Sequence, residues 1–445
     1  MLENFFKFNE NSTDFKTEII AGITTFLAMA YILGVNPSML AEGGMPATGV
    51  FFATALSSGI ACIIMGIVAK YPVGLAPGMG LNALFTYSII LEMGNSWETA
   101  LAAVFVSSII FLIITISGLR EKILNLIPID LKLGIGAGIG FFLAFLGFKS
   151  CGIIIGDSST LVSIGDLLYP PAILALIGII ISLILYIQKV PAAVFFGLIA
   201  TAIIGLIFTA LGYGTGNALM PSIPPNIISM NIDTSLFGGF IKGFEQLFSN
   251  IPNLIIMVFS LVFITFFDTT GTLMTVGKQC GFVDEDGNAN GIEKAFLSDA
   301  LAGIIGSICG SSTVTAYVES ATGIGIGGRT GLAAIVTGIL FLLSIFISPL
   351  ILSLFTSSVT ASALIIVGIL MVSQLKEVNW QSTVVSASVF MTIIMMLLSY
   401  SISIGIVWGF LTYTLGIISK GKYKEMGIGI WILGIIFLIY LFFGL

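Results

Sequence analysis

Two acids, Asp268 and Glu319, stand inside long apolar runs of this chain. The first lies in VFITFFDTTGTLMTVG and the second in SSTVTAYVESATGIGIGGR, which closes on Arg329. A charge at bilayer depth costs about 2.5 to 3.5 kcal/mol on insertion scales, so an acid retained there points to function. Burial favours the protonated form of a carboxyl group, and a second acid nearby favours it further. Such a pair can bind and release a proton near neutral pH and can accept hydrogen bonds from a solute that carries N–H groups. Thr272 is i+4 from Asp268, on the same helix face. Asn82 offers a donor and an acceptor, as do the hydroxyls of Thr272 and Tyr317. Phe266, Phe267 and Tyr31 could supply a flat apolar wall for a ring. In the competing reading Asp268 caps a broken helix end and Glu319 pairs with Arg329. Ten residues separate that pair, about 15 Å along a helix, which argues against a direct contact.

These residues must be positioned by membrane-spanning segments. The chain is 57% apolar and 9% charged, with a mean hydropathy of +1.14, outside the range of soluble domains. A span needs about 20 apolar residues. Candidates are 19–40, 50–69, 73–91, 99–119, 131–148, 171–187, 191–211, 252–276, 295–310, 313–328, 331–354, 360–372, 382–398 and 401–419, here spans 1 to 14, and 427–445 is a further apolar stretch. The polar, acidic N-terminus is unlike a secretory signal and reads as a cytoplasmic segment, 1–18. With that end inside, Lys70, Arg120, Lys122, Lys189, Lys278, Lys294, Arg329, Lys376, Lys420, Lys422 and Lys424 all fall on the cytoplasmic side, as short loops require. Lys149 and Lys242 disagree. Trp97 and Trp380 sit near span ends, as interfacial anchors do.

Fourteen spans divide into seven plus seven, and an odd number per half forces the halves into opposite topology. The expected fold is an all-α polytopic membrane protein with a first repeat over 19–212, an extracellular connection over 213–250 and a second repeat over 251–419. A basic turn and the extra apolar segment fill 420–445, which could cross the membrane or lie along it. Span 3 begins YPVGLAPGMGLN, ending on Asn82, and its counterpart span 10 begins with β-branched residues of period-two character. Interrupted segments at matching positions of two halves mark a transporter's midplane site. Two short extended pieces could pair antiparallel there, with half-helices beyond them aiming N-terminal amides into the same space. Gly and Pro are also simply frequent in membrane helices, where small residues pack helices together.

Composition closes other routes. The chain contains no histidine, which removes His-based triads, HExxH zinc sites and histidine proton relays. Cys62, Cys151, Cys280 and Cys309 have neither metal-like nor disulfide-like spacing and read as small apolar packing residues. The net charge of −6 is spread over short loops with no basic stripe, so nucleic acid is not a partner. The acidic segment 284–291 lacks the Gly and closing Glu of a calcium loop and reads as a solvated turn. Asp157 and Asp166 each follow a glycine, as in intramembrane aspartyl proteases, but lie in a polar external loop over 158–169. Glu18, Glu42, Glu92, Glu98, Glu377 and Asp299, near span ends, are expected to face headgroups or water.

The stretches FKFNENSTDFKTEIIAGITTFLAMAYILGVNPSML, APGMGLNALF, FFDTTGTL and GSSTVTAYVESATGIGIGGRTGL resemble the adenine/guanine/hypoxanthine branch of the nucleobase:cation symporters related to uracil and xanthine permeases. The likeness runs over essentially the whole chain. It implies two inverted seven-span repeats split into a core and a gate domain, spans 1, 3, 8 and 10 around the site, and short strands in spans 3 and 10 meeting at its centre. By motif position it assigns Glu319, Asp268 and Asn82 to the polar edge of a purine, with Asp268 and Glu319 coupling it to protons. Relatives of the uracil type carry a His where this chain has Thr272, so the two acids must carry the coupling.

The expected function is therefore import of purine bases with protons by alternating access at the cell membrane, with Na⁺ as the alternative ion and neither cofactor nor metal. A homodimer is compatible with the sequence. The rivals are an anion carrier of the sulfate-permease type, which shares the seven-plus-seven plan, and a channel. Two acids at the site would repel an anion, and a channel needs a continuous polar lining.

Overall fold

The computed structural model describes residues 2–118, 128–230, 232–282 and 291–422, together with 430, 431, 434, 435, 437, 438 and 441. The acidic turn, but for Gly291, lies outside the described residues, as do Arg120, Lys122, Lys424, most of 427–445 and the side chain of Phe267.

Ten described helices are long and apolar enough to cross a membrane: Phe15–Glu42, Ala47–Ala69, Trp97–Ile116, Ile129–Ser150, Pro170–Ile187, Ala193–Ala210, Ile251–Cys280, Gly331–Leu354, Ser357–Glu377 and Ile402–Ser419. They are spans 1, 2, 4 to 8, 11, 12 and 14. The other four depart from that form for visible reasons. Span 9, Ile292–Cys309, carries Glu293, Lys294 and Asp299, and span 13, Thr383–Leu398, has 16 residues. Spans 3 and 10 are broken by strands. The chain is thus a multi-pass membrane protein of two inverted seven-span repeats. Spans 1 to 4 pack chiefly with spans 8 to 11, forming the core domain, and spans 5 to 7 with spans 12 to 14, forming the gate.

Strand β1 (Leu75–Pro77) opens span 3. A hairpin of β2 (Ile154–Asp157) and β3 (Leu161–Ile164) follows span 5, and β4 (Val314–Ala316) opens span 10. Strands β1 and β4 pair antiparallel, as the sequence predicts, with Ala76 opposite Thr315. The ladder continues one residue at each end, Gly78 N–H to Thr313 O and Tyr317 N–H to Gly74 O, both 3.0 Å. Pro77 cannot donate, so it fits only an edge position. The half-helix Met79–Ala83 leaves β1 and runs into a π-helical turn, Leu84–Glu92, while the half-helix Ser320–Gly325 leaves β4.

The hairpin corrects the reading of 158–169 as loop throughout. Its turn is closed by Asp157, whose carboxylate accepts the amides of Ser159 and Thr160 at 2.8 and 2.9 Å. Those donors hold the Asp157 carboxyl below its ordinary value. Asp166 likewise accepts the Leu168 amide. Both acids are turn caps, and nothing about them is proteolytic.

The connection between repeats is pinned to span 2 by Asp233, which accepts from the Thr48 hydroxyl at 2.5 Å and the Ser235 amide at 3.0 Å. The Thr48 hydroxyl first, and Ser235 second, hold this carboxyl below its ordinary value. A carboxyl with a lowered folded-state pKa stabilises the fold above its unfolded pKa, about 4, and that contribution is lost as pH falls through the folded value. A spin label at position 234 is therefore expected to be immobile at neutral pH and to loosen only below about pH 4. In Thr48→Val it should be loose throughout; equal immobility in that variant would refute the tether.

Candidate functional site

The short sheet needs help, because each strand has one edge without a partner strand and backbone groups buried at this depth must be satisfied within the protein. On the β1 side Cys62 of span 2 does this. The Leu75 amide donates to its sulfur at 3.1 Å and the thiol donates to the Leu75 carbonyl at 3.3 Å. On the β4 side Asp299 of span 9 does it, accepting the Ala316 amide at 2.7 Å and the hydroxyls of Thr315 and Thr269 at 3.1 and 2.7 Å. Two sequence readings are corrected here. Cys62 is a cap as well as a packing residue, and Asp299, 1% exposed, faces neither headgroups nor water. Its depth was readable in part: Asp299 lies seven residues into span 9, about 10 Å from its start, beside Ala300 and Ala302.

Glu319 sits where β4 gives way to its half-helix. Tyr31 of span 1 donates its hydroxyl to the Glu319 Oε1 at 2.7 Å. The Tyr317 ring lies beside Tyr31, centroids 6.4 Å apart, and its hydroxyl donates to the Pro77 carbonyl of the other strand. Asp268 of span 8 reaches the same place from the opposite side. A Cβ on Gly78 would stand 3.6 Å from its Oδ2, and Asp268 lies within electrostatic range of Asp299 and Glu319. What a side chain at Gly78 would crowd is Thr315 of β4, whose Cγ2 would stand 2.8 Å from that Cβ. No donor reaches the Asp268 carboxylate among the described residues. Thr272, one turn on, is buried.

Asn82 is buried, its carbonyl accepting from Ser312 of the other repeat, and among the described residues its amide N–H₂ has no partner. A buried donor left unpaired costs about 1 to 3 kcal/mol. Near it Asn36 donates to Thr54 at 2.7 Å and to Ser311 at 3.3 Å. The structure thus brings together Glu319, Tyr31, Tyr317 and Asp268, and ties Asn82 to Ser312 at the start of span 10. Phe266 belongs to neither group. It packs edge-on against Phe111 in a cluster with Ala300, between spans 4 and 9, so it cannot wall a ring at the site. The Arg329 guanidinium donates to the carbonyls of Ile324 and Gly328, away from Glu319.

Exposed positions lie beside the site. From Asp268 toward the end of span 8, Gly271, Thr275, Lys278 and Gln279 form an exposed face. Opposite, Val318 is 43% exposed, and Gly325 has open space where a side chain would be. Span 8 runs from Asp268 toward the end of the bundle where Lys70 holds the N-terminal segment through the Phe5 carbonyl. At the other end the core and gate meet. The Ile402 amide of span 14 donates to Ser88 of span 3, and Tyr400 packs edge-on against Tyr87, whose hydroxyl donates to Glu42. Lys149 holds Tyr400 through its hydroxyl at 3.1 Å.

The chemistry on offer is two partly buried acids beside a third that is fully buried. No ion pair among the described residues joins Asp268 or Glu319 to a Lys or Arg. Such a site suits a neutral solute rich in N–H donors and a proton or small cation, and repels anions.

A model described as the Permease family matches residues 16–408. Guanine/hypoxanthine permease PbuG of Bacillus subtilis (strain 168) is 44% identical over 452 residues, covering 99% of this chain and 100% of that protein. Adenine permease AdeP of Escherichia coli (strain K12) is 38% identical over 443 residues, covering 100% and 96%. Among solved structures, the transmembrane domain of the cyanobacterial bicarbonate transporter BicA superposes with a TM-score of 0.63 at 14% identity, over 88% of this chain and 97% of that one. SLC26A9 gives 0.62 at 10%, over 94% and 68%. At such identities these two show the fold alone.

Proposed function

The chain belongs to the Permease family of the xanthine and uracil permeases, in the branch of its adenine and guanine/hypoxanthine relatives, and from that premise we propose that it imports purine nucleobases together with protons. The observation that carries the reading is that Asp268 and Glu319 lie within electrostatic range of each other beside the β1–β4 sheet, with no ion pair to either among the described residues. A purine presents several N–H groups on a flat ring. The free oxygen of Glu319 and the Asp268 carboxylate accept them, Tyr31 holds the other Glu319 oxygen in place, and the ring lies against Tyr31. Asn82, Thr272 and Tyr317 complete the polar edge. A proton taken up by Asp268 or Glu319 offsets the charge that a dry site cannot hold twice.

In this mechanism the exposed positions beside Asp268 and Val318 line a cleft that is the cytoplasmic exit, with the N-terminus inside the cell. The contacts of Ser88, Tyr87 and Tyr400 close the outer path. Purine and proton enter when the core rocks against the gate and breaks that seam, and leave when it re-forms. Anion transport, the function of fold relatives, is disfavoured by the acids at the site.

Uptake of radiolabelled hypoxanthine in cells without their own purine carriers tests this. Unlabelled adenine or guanine should compete and uracil should not, and a protonophore should abolish accumulation. Accumulation that survives the protonophore but needs Na⁺ would replace the proton in this scheme. Absence of saturable purine uptake would refute it.

A further inference from the structure

Glu18 was expected at the membrane surface, yet it is 0% exposed. Its carboxylate accepts the amides of Arg329 at 2.7 Å, Thr330 at 3.1 Å and Ala333 at 3.2 Å, the first turn of the helix Gly331–Ser344. A carboxylate suits that place because helix N-termini present unpaired amides and a partial positive charge. The bonds do more than cap span 11. Arg329 ends the short segment that carries Glu319, and its guanidinium reaches back to the carbonyl of Ile324 at 2.6 Å, the end of the half-helix Ser320–Gly325. A continuous chain of hydrogen bonds therefore runs from Glu18 through Arg329 to the far end of the half-helix that Glu319 begins.

The same span 1 holds the near end, through Tyr31 and Glu319. Glu18 and Tyr31 are thirteen residues apart, about 20 Å along the helix. Between them the half-helix lies so close to span 1 that Gly323 has no room for a Cβ against Ala21 and Thr25. A helix of six residues is too short to hold its own direction, since nucleation outweighs the few bonds it makes. What fixes its axis is what grips its ends.

We infer that Glu18 is a positioning residue for purine binding: it clamps the cytoplasmic end of the half-helix so that Glu319, gripped by Tyr31 at the other end, presents its free oxygen to the base. Glu18 touches no substrate. The inference rests on the purine reading above.

The test is purine binding to the purified full chain in nanodiscs, by calorimetry with hypoxanthine, adenine and guanine, alongside thermal melting. Wild type must bind one of them; if none binds, the purine reading fails and not the clamp. In Glu18→Gln one acceptor becomes a donor facing amides, and Kd is expected to rise about three- to tenfold while the melting curve stays close to wild type. Arg329→Lys, which keeps the backbone bond to Glu18 but loses the fork onto Ile324 and Gly328, should weaken binding similarly, and it serves if Glu18→Gln does not fold. The decisive comparison is each variant combined with Tyr31→Phe. If the two grips act on one oxygen, the second loss adds little to the first, so the combined effect falls well short of the product. Unchanged Kd in the single variants, or fully multiplicative losses with Tyr31→Phe, would overturn the assignment, as would a loss of binding that merely follows a lowered melting temperature.

Discussion

Glu319→Gln is expected to lose nearly all purine uptake. In the protein as it stands, one oxygen of Glu319 accepts from Tyr31 and the other is free toward the cleft. The glutamine side chain has the same shape, but only one of its two positions can accept. If the carbonyl stays with Tyr31, an N–H₂ group meets the N–H edge of the base; if it turns, the Tyr31 hydroxyl must turn too and the aim of the group is lost. Removing one partner of a buried, charge-assisted contact costs about 2 to 5 kcal/mol, most of it from the group left unpaired. That is a fall in affinity of about 30-fold at the lower end. Saturable uptake measured over a range of adenine, guanine and hypoxanthine concentrations would show it as a raised KM. Wild-type, proton-coupled uptake in this variant would refute the role assigned to Glu319.

Asp299→Ala should be as damaging by another route. It leaves the Ala316 amide and the hydroxyls of Thr315 and Thr269 without their acceptor, each at a cost of about 1 to 3 kcal/mol for a buried group. A marginally stable chain does not absorb the sum easily. Asp299→Asn separates shape from charge. Its carbonyl can keep the Ala316 amide, and the Thr269 hydroxyl can rotate to accept from the new N–H₂, so much of the cap survives. The expected order, by thermal melting in detergent and by purine uptake, is wild type, then Asn, then Ala far below. Ala equal to Asn in both assays would show that the edge of β4 does not need a side-chain acceptor.

The features legible in the sequence were those written in local pattern. The Pro/Gly start of span 3 and the β-branched start of span 10 break the apolar helix pattern within a few residues, which announces two extended pieces able to pair antiparallel, while the register that sets Ala76 opposite Thr315 was not legible. The absence of histidine narrowed the titratable groups to Asp268 and Glu319 before any geometry was known. What was missed depends on burial decided elsewhere in the chain. Glu18 and Asp299 lie near span ends, where most acids meet water, and only the packing of spans 1, 9, 10 and 11 turns them inward. Phe266 points to spans 4 and 9, a matter of helix rotation that the spacing of one span does not fix. The β2–β3 hairpin had a usable signal, two β-branched runs around Gly-Asp-Ser-Ser-Thr, which the polarity of the segment obscured.

The two caps of the sheet occupy matching helices of the two repeats, span 2 and span 9, yet one is the thiol of Cys62 and the other the carboxylate of Asp299. The repeats are therefore alike in outline and different in trade. A chain assembled from two copies of the first half would close its sheet with two neutral thiols and have no third acid beside the cleft. One assembled from two copies of the second would bury a carboxylate on each edge with nothing to neutralise either. Whatever ancestor folded as two identical halves had to be content with one kind of edge, and the division of labour between a neutral side and an acidic side is what makes each half of this chain irreplaceable by the other.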